Sequence, residues 1–331
     1  MKSRYTFFKG FFISFLSLLL LSCNNSTECN TNTTPVSRNG QLSVQGTYLV
    51  NSEKKPIVLR GVSLGWHNWW PRFYNESVID WLAKDWECDV VRAAIGVEPD
   101  GAYISSPNYA LKCVMSVADA AIKSGIYVII DWHSHNIRTN EAKKFFIQMA
   151  NRYNEYPNVI YEIFNEPLNT ATWPEVKAYS EEIIKAIRAI DEKNIILVGT
   201  PTWDQDVNLA ADNPIKGYEN IMYTLHFYAG THKQDLRNKA DYALQKGLPL
   251  FVSECAGMEA SGDGAIDNTE WNLWLSWMKK NQISWAAWAI ADKEETSSMI
   301  QTSASSEGNW SNEDLKEWGI TVQGYLKKLN E

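Results

Sequence analysis

VIYEIFNEP, from Val159 to Pro167, and LPLFVSEC, from Leu248 to Cys255, are the two stretches that decide the fold of this chain. Each is a strongly apolar run that closes on a glutamate, Glu166 in the first and Glu254 in the second. Runs this apolar are typical of strands that are buried on both faces. In a parallel β/α barrel the ends of such strands form the rim on which active sites are built. The two stretches therefore predict a barrel with a pair of carboxylates at its rim.

The rest of the chain alternates between apolar strand patterns and amphipathic helix patterns. Eight strands are predicted, over residues 57–63, 89–95, 126–133, 159–165, 195–199, 221–227, 249–254 and 284–290. Helices are predicted over residues 77–87, 107–124, 141–153, 174–190, 231–246, 270–281 and 312–329, with a shorter and weaker one over 205–211. Right-handed βα units of about 32 residues, repeated eight times, close into a barrel.

A doubly wound open sheet is the alternative to a barrel. Such a sheet is expected to show a phosphate-binding glycine fingerprint after its first strand, and Gly61–Gly65, with the sequence GVSLG, is not one. The stretch 41–51 has alternating apolar residues around Gly46 and predicts a hairpin. We therefore predict an α/β fold, a single (β/α)8 TIM barrel whose floor is closed by a short N-terminal β-hairpin.

The beginning of the chain differs in composition from the rest. Three basic residues precede the apolar stretch Phe11–Leu21, which has the pattern of a secretory signal and is too short for a spanning helix. Cys23, behind a leucine and a small residue, is similar to the lipobox cysteine of bacterial lipoproteins, although an ordinary signal peptide with a chance cysteine is the alternative. Residues 24–39 are mostly Asn, Thr and Ser and predict a flexible tether. The predicted organisation is a lipoprotein signal peptide, a tether and one folded domain, at residues 1–22, 23–39 and 40–331.

The charge balance and the cysteines limit the partners. The chain has a net charge of −8, and the predicted signal peptide contains only basic charges, so the exported part is more acidic still. No basic patch is present in the sequence, and nucleic acid is therefore not expected as a partner. Cys88, Cys113 and Cys255 lie in apolar patterns and predict buried thiols, although an exported protein could pair two of them. We expect an exported monomer that is secreted or is held by its lipid anchor at the bacterial cell envelope, at the outer membrane.

Polar side chains at other predicted strand ends accompany the two glutamates. They are Arg92, Asp131, His133, Asn165, His226, Tyr228 and Trp288. A buried arginine needs an anionic partner, and hydrogen bonds from Arg92 and Tyr228 would keep Glu254 ionised. Glu166 would instead have a raised pKa and donate a proton. Retaining glycosidases hold their carboxyls ~5–5.5 Å apart and inverting ones ~6.5–9.5 Å apart, and inward-leaning side chains from strands four and seven could meet the shorter distance. The 15 tryptophans also favour a sugar ligand, because pyranose C–H faces stack on indole.

The motifs around these residues together resemble glycoside hydrolase family 5, and within it the bacterial secreted endo-β-1,4-glucanases, or cellulases. The motifs are Val91-Arg92-Ala93-Ala94, Asp131-Trp132-His133, Asn165-Glu166-Pro167, Thr224-Leu225-His226-Phe227-Tyr228 and Val252-Ser253-Glu254. The segments 199–203 and 288–295 add to the resemblance, which runs from about residue 41 to the C-terminus.

The resemblance implies a retaining hydrolase that cleaves internal β-1,4-glucosidic bonds by double displacement and needs no cofactor and no metal. Glu166 would be the acid/base and Glu254 the nucleophile. The residues implied to support the glutamates or line the −1 sugar subsite, with Asn165 on the 2-hydroxyl and His226 behind Glu166, are Arg92, His133, Asn165, His226, Tyr228 and Trp288. The residues implied to contact the glucan further along the cleft are Trp69, Trp203 and Lys293.

Two departures from the family pattern concern the same side of the predicted site. Relatives often carry a histidine shortly after the Gly-x-Ser of the first strand, where a strict alignment places Gly65, so His67 would have to supply the imidazole. Many relatives also have a tyrosine after the Arg-Ala-Ala of the second strand, where this chain has Ile95 and Gly96. The second difference is expected to open the −1 subsite slightly.

Other functions stay open from the sequence alone. Mannanases, mixed-linkage glucanases and xyloglucanases share the catalytic frame, since loops set specificity. A non-catalytic, glycan-binding surface lipoprotein is another alternative. A metal-dependent hydrolase could use the ligands His133, His135, Asp131, His226 and Asp292.

Three further polar residues are given structural roles by their patterns. Glu162 lies deeper in the same strand as Glu166 and is predicted to pair with Arg60 or Arg92. His135 and His232 are predicted to be ordinary loop residues.

Overall fold

The structure, a computed structural model, describes residues 1–6 and 33–330 of the chain. Cys23, the predicted lipidation site, lies outside the described residues, as does most of the predicted signal peptide and tether. None of the helices within the described ranges combines the length and the hydrophobicity needed to cross a bilayer.

Eight parallel strands form a closed barrel, and each strand pairs with the next one along the chain. Their bounds are β3 Arg60–Leu64, β4 Val90–Gly96, β5 Tyr127–His133, β6 Val159–Glu162, β7 Ile196–Val198, β8 Ile221–Tyr228, β9 Leu250–Ala256 and β10 Trp285–Ile290. The last strand pairs with the first, since Trp285 is in register with Arg60. The predicted TIM barrel is therefore confirmed.

Helices cover the outside of the barrel in alternation with the strands. Their bounds are α2 Glu76–Lys84, α3 Pro107–Ser124, α4 Thr139–Tyr153, α5 Trp173–Arg188, α7 Val207–Asp212, α8 Gln234–Gln245, α9 Asn268–Asn281 and α10 Glu317–Asn330. The short element α6, Pro201–Asp204, is instead a turn at the rim after β7 whose last three residues are left-handed. Helix α3 ends at Gly125, whose φ of 71° is the left-handed conformation that glycine adopts without strain. The weak helix predicted over 205–211 is present as α7, one residue further on at its C-terminal end.

A two-stranded hairpin closes the N-terminal end of the barrel. Its strands are β1 Ser43–Gln45 and β2 Tyr48–Val50, which pair in antiparallel fashion. Leu42 and Leu49 are each 1% exposed and pack into one apolar cluster with inward-facing strand residues such as Leu197 and Phe251. The predicted floor of the barrel is confirmed, and it leaves the opposite rim open for the site.

The segment before the hairpin corrects the predicted extent of the tether. Pro35–Asn39 form a short helix, α1, and the Val36 N–H donates to the Gly125 carbonyl over 2.9 Å. Thr34 packs so closely on Gly125 that a Cβ there would lie 2.4 Å from its hydroxyl oxygen. These tertiary contacts offset the entropy that is lost when the segment becomes ordered. The composition alone had predicted that this loss would keep the segment flexible.

Cys88, Cys113 and Cys255 are free and buried in the described part of the chain. The prediction of buried thiols is confirmed for these three residues.

Candidate active site

The two predicted catalytic glutamates meet at the open rim. Glu254 lies inside β9, whereas β6 ends at Glu162 and Glu166 follows it in an irregular segment, so the predicted fourth strand was too long. The backbone N–H groups of Asn165 and Glu166 still donate to the carbonyls of Trp132 and Ser134 at the end of β5, over 3.1 and 3.2 Å. A carboxylate oxygen of Glu166 and one of Glu254 consequently lie within 4.8 Å of each other.

Both oxygens of Glu254 are held by hydrogen bonds. Arg92 Nη1 donates to Oε2 over 2.9 Å, and the Tyr228 hydroxyl donates to Oε1 over 2.7 Å. Glu254 is 4% exposed, so these bonds form in a water-poor environment where charge-assisted hydrogen bonds are strong. The predicted contacts of Arg92 and Tyr228 with Glu254 are present.

Arg92 is fully buried and organises the floor of the site. Its Nε donates to Glu162 Oε2 over 2.6 Å, and its Nη2 lies 3.0 Å from Asp131 Oδ2. The prediction that Glu162 is a structural partner of an arginine is confirmed, with Arg92 as the partner. Arg92 Nη2 also donates to Asn165 Oδ1 over 2.5 Å. This bond leaves the buried Asn165 Nδ2 without a hydrogen-bond partner among the described residues, so the amide is free to donate to a sugar hydroxyl.

His226 lies directly behind Glu166. Its Nδ1 is 3.0 Å from Glu166 Oε1, and its Nε2 is 2.9 Å from the Ser253 hydroxyl. Ser253 in turn donates to Glu162 Oε1 over 2.6 Å. A continuous hydrogen-bonded chain therefore runs from Glu166 through His226 and Ser253 to Glu162, and through Arg92 to Glu254.

The pKa values of the two glutamates are shifted in directions opposite to those expected from the sequence. Burial raises the pKa of Glu166, but the hydrogen bond and the charge of His226 outweigh it and bring the pKa below its ordinary value. Burial and then the neighbouring Glu166 raise the pKa of Glu254. The expectation of a raised pKa at Glu166 is wrong for the site without substrate, because the sequence does not show the close contact with His226. The two carboxyls titrate as an interacting pair.

Aromatic side chains form one wall of the site. The His133 ring stacks on Trp288 with centroids 5.3 Å apart, and its Nδ1 lies 2.6 Å from Asp131 Oδ2. Trp66 contacts the other side of His133 edge-on at 4.3 Å and lies 4.7 Å from Trp69, which is 52% exposed. Trp66 was missed in the sequence, although it belongs to the same WHNWW run as Trp69.

Gly96 explains one departure from the family pattern. A Cβ at this position would lie 2.7 Å from the Trp66 ring, so glycine lets that ring pack against β4. The other departure is the histidine that relatives carry where this chain has Gly65. Here His67 is fully buried, and its Nδ1 accepts the Gly96 N–H over 3.0 Å. Burial lowers the pKa of His67 to about 4, so the ring is neutral and supports the wall from behind.

Trp203 stands on the opposite side of the barrel mouth, after β7. It lines a cavity of about 400 Å³ together with Glu166, Tyr228 and His232. A turn of three successive left-handed residues, Thr202–Asp204 with φ between 55° and 59°, presents this ring at the surface. Left-handed backbone costs about 1–2 kcal/mol per non-glycine residue. Because none of these three positions is a glycine, the sequence did not reveal the turn.

His135 and His232, predicted as ordinary loop residues, both lie at the site. His135 Nδ1 is 3.8 Å from Glu166 Oε2, and His232 accepts the Tyr228 N–H over 2.9 Å and lines the cavity beside Trp203. No periodic signal in the sequence marks loop histidines of this kind. Lys293, predicted to contact glucan, is half exposed and forms an ion pair with Glu295.

The ligand set of the alternative metal hydrolase is not assembled. His133 Nδ1 is tied to Asp131, and the ring of His135 lies 6.3 Å from that of His133. Among the described residues, donor atoms close enough to share an ion occur only in two groups, and neither includes these two histidines.

Comparisons with known proteins agree with this geometry. Residues 50–294 match the cellulase family, glycosyl hydrolase family 5. An endoglucanase of Clostridium saccharobutylicum is 41% identical over 97% of this chain and 73% of its own length. Endoglucanase Z of Dickeya dadantii is 47% identical over 78% of this chain and 61% of its own length. A solved structure from Cytophaga hutchinsonii superposes with a TM-score of 0.88 at 47% identity, over 90% of this chain and 97% of the other. The chain thus spans between three fifths and three quarters of these two endoglucanases, and it belongs to the cellulase family, glycosyl hydrolase family 5.

Proposed function

We propose that this chain is a retaining endo-β-1,4-glucanase in which Glu254 is the nucleophile and Glu166 the acid/base. The observation that carries the proposal is the approach of their carboxylate oxygens to within 4.8 Å. Retaining glycosidases hold the two carboxyl groups ~5–5.5 Å apart, whereas inverting ones leave room for a water molecule between them.

The first step transfers the sugar to the enzyme. Glu254 attacks the anomeric carbon, while the bond to the departing oxygen breaks and that oxygen takes a proton from Glu166. Arg92 and Tyr228 hold the two oxygens of Glu254 in place for this attack. The Asn165 amide donates to the 2-hydroxyl of the sugar in the −1 subsite. His133 and Trp288 form the wall of that subsite.

The second step releases the sugar. Glu166, now a carboxylate, takes a proton from a water molecule that attacks the anomeric carbon, and the bond to Glu254 breaks. The released sugar keeps the β configuration. Both carboxyls then return to their starting protonation states.

The cleft fits a chain that is bound on both sides of the catalytic pair. Trp69 follows β3 and Trp203 follows β7, and these strands lie opposite each other in an eight-stranded barrel. Both rings are exposed, at 52% and 37%, and can stack on the apolar faces of pyranose rings. Lys293 lies at the same rim as a further contact. Attack within a polymer needs such contacts on both sides, which favours internal cleavage of a β-1,4-glucan.

The experiment is to incubate the protein with carboxymethylcellulose, mixed-linkage β-glucan, xyloglucan and β-mannan, and to measure viscosity and reducing ends. We expect a fast loss of viscosity on the β-1,4-glucans and none with Glu254→Gln. Glu259→Gln, at an exposed position in the loop after β9, is the matched control and should behave as wild type. Activity confined to mannan would overturn the proposal that the substrate is a β-1,4-glucan. Binding without hydrolysis would favour the alternative of a non-catalytic glycan-binding protein.

We also propose that the protein is exported and lipid-anchored through Cys23 at the outer membrane. The sequence that supports this is the basic and apolar leader followed by the lipobox-like Leu20–Cys23. Wild type should incorporate labelled palmitate and fractionate with membranes, whereas Cys23→Ala should do neither. Cys29→Ala, six residues further on, should behave as wild type. Unlabelled wild type in the soluble fraction would contradict the anchor.

A further inference from the structure

Asp204 is a buried carboxylate beside the acid/base that has no part in the mechanism described so far. Its side chain is fully buried, and Oδ1 accepts the Thr200 N–H over 2.5 Å. The other oxygen, Oδ2, lies 3.4 Å from His226 Nε2 and forms no hydrogen bond among the described residues. Burial raises the pKa of Asp204 well above its ordinary value, whereas the charge of His226 and the Thr200 N–H act to lower it. An ionised carboxylate in such a place needs a cation, and His226 is the group that faces it.

His226 is the link between Asp204 and Glu166. Its Nδ1 contacts Glu166 at 3.0 Å, so a proton on Nδ1 points at the acid/base oxygen. We propose that Asp204 is a positioning residue for the acid/base: its carboxylate keeps the His226–Glu166 pair protonated to higher pH and so sets the alkaline limit of catalysis. This inference rests on the proposed role of Glu166.

Several other charged groups face His226, and two of them are paired with Arg92. The groups are Glu162 at 3.7 Å, Glu166, Glu254 on β9, and, further away, Arg92, Asp131, His133 and His232. Glu162 and Glu254 are both paired with Arg92. Burial lowers the pKa of His226, but Asp204 and then the glutamates outweigh it and raise that pKa well above its ordinary value. Apart from Glu166 itself, Asp204 is therefore the carboxylate whose charge acts mainly on the histidine.

The backbone around Asp204 is shaped for this contact. Asp204 ends the left-handed turn Thr202–Asp204, and the same turn places Trp203 in the cleft. Gly199 lies so close that a Cβ there would be 3.2 Å from Asp204 Oδ1. One strained turn thus presents the Trp203 ring on its outer side and a carboxylate to His226 on its inner side.

The sign of the effect follows from charge. Proton transfer to the leaving oxygen requires that the His226–Glu166 pair carries a proton. A nearby negative charge stabilises this protonated form, so the pair loses its proton only at higher pH. Asp204→Asn keeps the shape and the acceptor for Thr200 but removes the charge. The alkaline limb of kcat/KM on cello-oligosaccharides should therefore move down by about one pH unit or more.

The matched control is Asp206→Asn, in the same loop. Asp206 accepts from the Thr202 hydroxyl over 2.6 Å and pairs with Lys239, so it supports the turn without facing His226. Its alkaline limb should stay at the wild-type position. A shift of equal size in both variants would overturn the proposal in favour of a general effect of the turn.

A substrate with a good leaving group separates proton transfer from structure. On 2,4-dinitrophenyl β-cellobioside the departing group needs no proton, so Asp204→Asn and wild type should have the same alkaline profile for kcat/KM. An unchanged limb on oligosaccharides, or an equal loss on both substrates at every pH, would refute the proposal. Glu166→Gln tests the underlying role: full activity on oligosaccharides would refute the acid/base assignment whatever Asp204 does.

A measurement on the wild type covers the case in which Asp204→Asn does not fold. In intact protein with ¹⁵N-labelled histidine, and with the His226 signals assigned through His226→Gln, the ring nitrogens report protonation directly. His226 should remain an imidazolium at the pH of maximal activity. A neutral His226 ring at that pH would refute the proposal.

Discussion

Tyr228→Phe isolates one hydrogen bond to the nucleophile. The variant removes a single oxygen atom, and with it the donor that holds Glu254 Oε1 at 2.7 Å. The second oxygen keeps its bond from Arg92 at 2.9 Å, so the carboxylate stays in place but loses half of its support.

The magnitude follows from the kind of bond that is lost. A hydrogen bond to a charged group contributes about 1.5–3 kcal/mol, and each 1.36 kcal/mol in the barrier changes a rate tenfold. We therefore expect kcat/KM to fall by a factor of about 10 to 100. The Tyr228 hydroxyl also lowers the pKa of Glu254, against burial and Glu166, which raise it. Its loss raises that pKa further, so the carboxylate forms at higher pH and the acid limb of kcat/KM moves up.

The assay is the pH profile of kcat/KM on cello-oligosaccharides for wild type and variant. Tyr242→Phe is the matched control, because its hydroxyl also donates to a carboxylate, Asp212, over 2.6 Å but on the outside of the barrel. That variant should keep the wild-type profile. A wild-type acid limb in Tyr228→Phe, or a loss of thermal stability equal to the loss of activity, would refute the reasoning.

Three further predictions test the chemistry and the support of the site. Early product followed by NMR should be the β-anomer, and α-anomer formed first would exclude double displacement. Arg92→Met leaves buried carboxylates without their cation and should lower the free energy of unfolding by about 3–5 kcal/mol in urea titrations, whereas a neutral result would mean that these groups are not charged. His67 has a folded-state pKa of about 4, so the unfolded chain binds a proton that the folded chain does not between pH 6.5 and 4; stability should fall by about 3 kcal/mol as pH drops through this window. His67→Gln should flatten that part of the pH–stability curve, and an unchanged slope would contradict the assignment.

Much of the fold followed from local pattern. The apolar runs at 89–95, 126–133 and 249–254 predicted strands β4, β5 and β9 to within two residues at either end. Helix α3 was predicted with its observed bounds, since Pro107 begins it and Gly125 ends it. Strand and helix periods are properties of a few neighbouring residues, and a parallel barrel repeats them so regularly that the topology follows.

The limits of the sequence are clearest where distant residues meet. Glu166 and Glu254 were identified from their strand ends, but the direction of the pKa shift of Glu166 depends on His226, which comes from another strand. The raised pKa of Glu254 depends on its burial and on its closeness to Glu166. His135, His232 and Trp66 lie in loops without a periodic signal, and only the closure of the barrel brings them to Glu166 and His133. The ordered helix Pro35–Asn39 depends in the same way on contacts with Gly125.

The sequence by itself therefore determined the barrel, its floor and the two carboxylates, because hydrophobic period and strand-end position are local properties. The tertiary structure alone decided the electrostatics of the site. Against burial, the pKa of Glu166 is lowered by His226, His135 and Arg92, which come from β8, the segment after β5, and β4. Charge interactions act through space in a buried, weakly screened environment, so their strength depends on distances that no local pattern contains.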